Sequence, residues 1–281
     1  MGFAKRNKWI KLSNPCEMST YVKADLLTAN KYMVHNVEIV VRFTKASKAF
    51  YLLHPAAKAY VVKLFSAAIW VRKIHVTEGT LKAIQASLSK QNAMYVIERT
   101  DMRSLTIGPN VQNCSFENIY NNTIPHRITF GLVSNLAFNG SSLHNPYFFG
   151  SWGLEVVNIQ VDGQTVTGKP LELSFEVPYK YTQALVHLYD AIGQSNTPFT
   201  STIINRNNFP LGYTLFCFNL TDDNSQGEHL VVPKRGSVRI ELKFKKALTE
   251  ALNLVVMGDF DAVLEIDSDF DCIYELGKET S

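Results

Sequence analysis

Apolar and polar positions alternate with a period of two through much of the chain. Val37, Ile39, Val41 and Phe43 alternate with Glu38 and Arg42, the pattern of a strand with one buried face. Further strand signals fall at 60–65 and within 69–76, then at 93–99, 102–107, 127–133 and 154–161. Toward the C-terminus they recur at 212–220, 237–244, 252–260 and 261–266, where Val238, Ile240, Leu242 and Phe244 alternate with Glu241 and Lys243. Asp162-Gly163 after the 154–161 run is a hairpin signal, because both residues tolerate the left-handed backbone of a tight primed turn.

Two stretches break into helical period. Thr77 is placed to cap a helix carrying Glu78 in its first turn and Leu81, Ile84 and Leu88 on one face. A second helix is predicted over about 179–192, with Ala184, Leu185, Leu188 and Ile192 on one side and Gly193 as its stop. Strands this frequent, with only two helices among them, argue against a parallel βαβ sheet. The pattern predicts an all-β chain: an antiparallel jelly-roll β-sandwich with two short helices in inter-strand connections. Residues 1–35 lack a clear period and read as an N-terminal arm or connection, and 36–281 as a single jelly-roll domain.

Composition supports a packed core. Of 281 residues, 46% are hydrophobic and 19% charged, which excludes a mostly disordered chain. No apolar run approaches the roughly 18 residues that cross a bilayer, so no membrane partner is expected. The basic opening has no apolar stretch behind it, which argues against a secretory signal and for a protein that is not secreted. The net charge of +3 is mild, and the Lys5, Arg6, Lys8, Lys11 cluster gives at most weak contact with nucleic acid.

Candidate chemistry is sparse. The four cysteines, Cys16, Cys114, Cys217 and Cys272, are too scattered for zinc spacing and suggest core packing in a reducing compartment. The seven histidines form no HxH or HExxH pattern, and no GxSxG, GxGxxG or GxxxxGK[ST] occurs. DSDFD at 267–271 opens like a calcium loop, but Cys272 and Lys278 stand where such a loop needs Gly and Glu. No catalytic residue, cofactor or metal site is therefore expected, and the chain does not read as an enzyme. The informative segment is the loop 135–153, in which Phe138, Tyr147, Phe148, Phe149 and Trp152 sit among Gly, Asn and Ser. Such aromatics either roof a core or form an interface, and no Lys or Arg interleaves them as base-stacking would favour.

Several blocks resemble the double-jelly-roll major capsid proteins of Polinton/Maverick elements and adintovirus-like viruses. They are PHRITFGLVSNLAFNGSSLHNPYFF (125–149), LEVVNIQVDGQTVTGKPLE (154–172), PLGYTLFCFNLTDD (210–223) and RGSVRIELKFKKALTEALNLVVMGDFDAVLEID (235–267). The stretch 31–74 is also similar. The resemblance is to the second of the family's two tandem rolls and the connection into it; the first roll has no counterpart. It implies a structural viral-type capsid protein that self-assembles, as a trimer, with neighbouring capsid subunits; the missing roll leaves open a fragment, a split gene product whose first roll lies on a separate chain, or an endogenised remnant with a new role. The expected location is the virion in a viral setting and otherwise the cell interior. The alternative reading is an endogenised jelly-roll binding module that recognises a protein or carbohydrate through the 135–153 loop.

Overall fold

A computed structural model describes residues 2–22, 24–29, 31–54, 60–195, 202–221 and 234–275. Its strands are β1 (Ala93–Ile107), β2 (Asn113–Phe116), β3 (Thr123–Ile124), β4 (Arg127–Ser134), β5 (Leu154–Val161) and β6 (Gln164–Thr165). Then come β7 (Leu171–Glu172), β8 (Leu215–Asn219), β9 (Lys234–Arg235), β10 (Val238–Phe244), β11 (Leu252–Ile266) and β12 (Cys272–Glu275). One sheet runs β1-β11-β4-β8, with β12 also on β11; the other runs β2-β10-β5-β6, with β7 also on β5. All of these pairings are antiparallel.

The strand order identifies the fold. β6 and β7 both pair with β5 and act as one interrupted strand, while β3 and β9 form a small ladder apart from the sandwich. With β12 set aside, the remaining strands in chain order pair first-eighth-third-sixth and second-seventh-fourth-fifth. That is the jelly roll, two interleaved Greek keys folded into facing sheets.

Binary patterning explains the core. In β10, Val238, Ile240, Leu242 and Phe244 are buried, while Arg239, Glu241 and Lys243 face out. The outward residues pair: Arg239 with Glu241 at 2.6 Å and Lys243 with Glu155 on β5 at 2.9 Å. Across the sandwich, Leu252, Leu254 and Val256 of β11 and Ile128, Phe130 and Leu132 of β4 supply the opposite wall. Phe130 stacks on Phe216 and Phe218 of β8, with centroids 5.4 and 6.1 Å apart. The hairpin between β5 and β6 turns on Asp162 and Gly163, whose φ values of 51° and 80° are those of a type I′ turn.

Both predicted helices form. The first spans Glu78–Leu88, with the Thr77 hydroxyl accepting from the Thr80 amide. The second spans Thr182–Ala191 and lays Ala184, Leu185, Leu188 and Ala191 on the core. Ile192 lies beyond its last turn and is exposed, so Ala191 takes the place expected of it. Two pairs of predicted strands fuse: 93–99 with 102–107 into β1, and 252–260 with 261–266 into β11, each 15 residues long.

The strands expected at 37–43, 60–65 and within 69–76 do not form; these described residues carry no ladder. An alternating segment becomes a strand only when another strand satisfies its main chain, and the roll already has its full set. Their apolar side chains lie open, with Phe65 at 84% and Trp70 at 94% exposure. Of the cysteines, Cys217 is in the core and Cys114 is half-buried, its thiol pushed up to about 11 by burial, but Cys16 and Cys272 are exposed rather than packed.

Phe130→Ala should lower the unfolding free energy by about 3–5 kcal/mol, the cost of a large core cavity, whereas Phe65→Ala should change it by less than about 0.5 kcal/mol. Urea denaturation of the two variants checks the contrast.

Candidate functional site

The 135–153 loop links β4 to β5 and crosses one end of the sandwich. It begins with the short helix Asn135–Phe138, which buries Ala137. Two glycines let it settle closely. The Phe149 ring lies where a side chain on Gly131 of β4 would stand, 2.7 Å from a Cβ built there, and the Phe148 ring lies 2.6 Å from one built on Gly212. Main-chain bonds fix the same contact: Phe149 N–H donates to Gly212 O at 3.0 Å and Thr214 N–H donates to Phe149 O at 3.0 Å. Trp152 donates its indole N–H to Leu132 O at 3.3 Å and packs on the core.

The five aromatics singled out in the sequence thus divide. Phe149 and Trp152 are half-buried and roof the end of the sandwich, and Phe138 is half-buried at the close of its helix turn. Tyr147 and Phe148 are exposed, together with Leu136 and Leu143. Between Ala137, Leu143, His144, Phe148 and Trp152 lies an open, mostly apolar groove of about 290 Å³. Its chemistry is that of contact: an apolar floor with little polar functionality.

A second cluster has no sequence signal. Glu98 of β1, His126 and Arg127 at the start of β4, and Asp259 and Asp261 of β11 converge across three adjacent strands. Arg127 Nε lies 2.8 Å from Asp259 Oδ2, and its Nη2 lies 3.1 Å from Glu98 Oε2. His126 bridges two carboxylates, with Nε2 3.1 Å from Glu98 Oε2 and Nδ1 3.3 Å from Asp261 Oδ1. Asp259, almost wholly buried, also accepts from the Thr100 hydroxyl at 2.9 Å. Glu98, His126 and Asp259 offer ligand atoms within 4.8 Å of one another, a distance a metal ion could span. The Arg127 guanidinium already places a cation against two of the three, so the cluster is built as an ion-pair network.

The network sets the protonation of its members. Burial alone would lower the His126 pKa, but the hydrogen bonds and charges of Asp261 and Glu98 outweigh it and raise the value to about 9. The hydrogen bond from His126, aided by the charge of Arg127, holds the Glu98 carboxyl below the usual carboxylate range against the opposing effect of burial.

The remaining expected features fall apart in space. Lys5, Arg6 and Lys8 lie on the helix Gly2–Ile10, and Lys11 opens the 3₁₀ turn Lys11–Ser13. DSDFD forms the turn between β11 and β12, where Asp267 Oδ1 accepts from the amides of Asp269 and Asp271, each at 2.9 Å. That carboxylate caps a turn.

No protein-family model matches the chain. It is 28% identical over 200 residues to the Caenorhabditis elegans uncharacterized protein F54H12.2, covering 70% of this chain and 48% of that one. It therefore spans about half the length of the curated relative it matches. Among solved structures it resembles PBCV-1 VP54 fitted into a reconstruction of the virophage Sputnik, at 13% identity and a TM-score of 0.41, covering 72% of this chain and 55% of that one. It also resembles the mavirus major capsid protein, at 10% identity and a TM-score of 0.35, covering 66% of this chain and 42% of that one.

His126, raised on folding, stabilises the roll fully below its ordinary value of about 6.5, and that contribution is lost as pH rises through about 9. Glu98, lowered on folding, contributes above its ordinary value and loses that contribution as pH falls. The melting temperature of the wild type should therefore decline between about pH 7 and pH 10, and His126→Gln should flatten that limb. Thermal melts across the range check this; equal slopes in the two proteins would remove His126 as the cause.

Proposed function

We propose that the chain is a structural subunit of a capsid-type shell, acting by assembly rather than by catalysis. The observation that carries the reading is the set of exposed apolar side chains in the segments 37–54 and 60–76. Val40, Phe43, Val61, Leu64, Phe65 and Trp70 are between 68% and 94% exposed, while the roll behind them has a closed core of its own. Large apolar side chains left open in such number are what a subunit that buries them against neighbours needs. The strand order of the roll and the sequence blocks shared with double-jelly-roll capsid proteins support the same reading. In it, copies associate as trimers, the segments 37–54 and 60–76 are covered by another jelly roll, and the assembled protein resides in a virion.

A second reading, a binding module, rests on the groove beside Phe148. Its volume is at the lower edge of the roughly 300–1,000 Å³ of small-ligand sites. Tyr147 and Phe148 are the residues either reading would use: as an inter-subunit contact in a shell, or as the ligand-facing wall of a module.

Native mass spectrometry and negative-stain microscopy of the purified chain test the proposal. Trimers or larger closed particles are expected at roughly micromolar concentration, and a well-folded monomer at every concentration would overturn it. Tyr147→Ala with Phe148→Ala should weaken assembly; if assembly is intact and a bound protein or glycan is lost instead, the binding-module reading takes its place.

A further inference from the structure

β1 is an edge strand with an unusual edge. Glu98 N–H donates to the Asp25 carboxylate, and Met94 O accepts from Lys31 Nζ at 3.3 Å. The even-numbered residues of β1 thus turn their main-chain groups away from β11. Tyr95 OH adds a bond to Tyr32 O at 2.9 Å, so the N-terminal segment covers the edge from Met94 to Glu98. Beyond that point the segment still flanks Thr100 across a shared groove, but its hydrogen bonds to the edge end. Among the described residues no group bonds the outward main chain of Thr100, Met102, Ser104 or Thr106.

Exposed edges are usually blunted by charged side chains, proline or a bulge. From Thr100 to Thr106 there is no proline and no bulge, and the ladder to β11 is unbroken. The two charges present, Asp101 and Arg103, pair with each other at 2.9 Å on the exposed strand. We propose that Thr100–Ser104 is a two-fold interface, pairing antiparallel with the same stretch of a second copy and centred on Met102.

The side chains select both the occupant and the register. Outward main-chain groups belong to even residues, so an antiparallel self-pair must set even residues opposite even ones. Centring on Met102 places Thr100 opposite Ser104 of the second copy and Met102 opposite its own counterpart. Met102, 63% exposed in the single chain, is covered there. The same register puts Asp101 opposite Arg103 of the second copy, twice across the axis, making a ring of four alternating charges. Moving the centre to Arg103 would set two guanidinium groups face to face. Opposite charges directly across a ladder stabilise it and like charges do the reverse, so the stretch is complementary to itself in one register. The inference rests on the reading of the chain as self-assembling and names one of the surfaces used.

Amide hydrogen exchange and sedimentation velocity on the full chain test it. Exchange at Thr100, Met102 and Ser104 should slow as concentration rises, alongside a reversible two-fold association. Asp101→Arg, which brings four positive charges together, should weaken that association roughly tenfold. The double variant D101R/R103D restores alternation and should recover it. Met102→Pro removes an outward N–H without touching the β11 ladder and should also weaken it, so the test does not depend on one variant folding. Unprotected amides at all concentrations, or an association indifferent to Asp101→Arg and Met102→Pro, would overturn the proposal. Large particles with unprotected β1 amides would sink the edge and leave the shell reading standing. A dimer that goes no further would do the opposite.

Discussion

The ladder between β1 and β11 is the constraint on which the rest of the roll depends. Fifteen consecutive residues of each strand pair without a register shift, from Ala93 opposite Ile266 to Ile107 opposite Leu252. β4 and β12 both use the far side of β11 as their template, and β8 in turn uses β4. Removing this ladder would leave one sheet without its centre and the other without a face to cover. A slip of one residue would send Leu252, Leu254 and Val256 to solvent, so the apolar pattern of β11 fixes the register as firmly as the hydrogen bonds do.

The aromatic loop and the ion-pair network differ in how they are held. The aromatic loop is held by close approach: rings on bare glycines at 131 and 212, and main-chain bonds to the strand behind. Shape decides there: Phe149 and Trp152 pack inward, Phe148 rests one face on Gly212, and Tyr147 stays outside. The ion-pair network is held by charge. It joins β1, β4 and β11 through Glu98, His126, Arg127, Asp259 and Asp261.

Most of the roll was legible in the sequence because its strands carry their own pattern. β5 spans the residues the alternation predicts, and β10 buries the four it predicts. The breaks expected inside β1 and β11 reflect polar residues that tertiary pairing absorbs. Arg99 lies over the Phe260 ring at 4.9 Å, and Asp259 is neutralised by Arg127. The segment 37–76 misleads for the converse reason, since alternation records a strand's readiness to pair and says nothing about whether a partner is present. The ion-pair network could not be read at all: Glu98, Arg127 and Asp259 are distant in sequence, and only the β1-β11-β4 order makes them neighbours. Of the aromatic loop, the sequence showed where five rings cluster but not which way each one turns.

The pairing of the roll's first long strand with its last has a consequence during synthesis. At the usual pace of translation, on the order of 5–20 residues per second, β11 leaves the ribosome roughly 10–30 s after β1. Through that interval the core-facing side of β1, with Tyr95, Leu105 and Ile107, has been made while the strand that will sit beside it has not. The growing chain thus carries a long, regular strand that can be satisfied early only by some other strand. The N-terminal segment, made before β1 and bonded to it at Met94, Tyr95 and Glu98, is available from the outset to shield part of that edge until the roll can close.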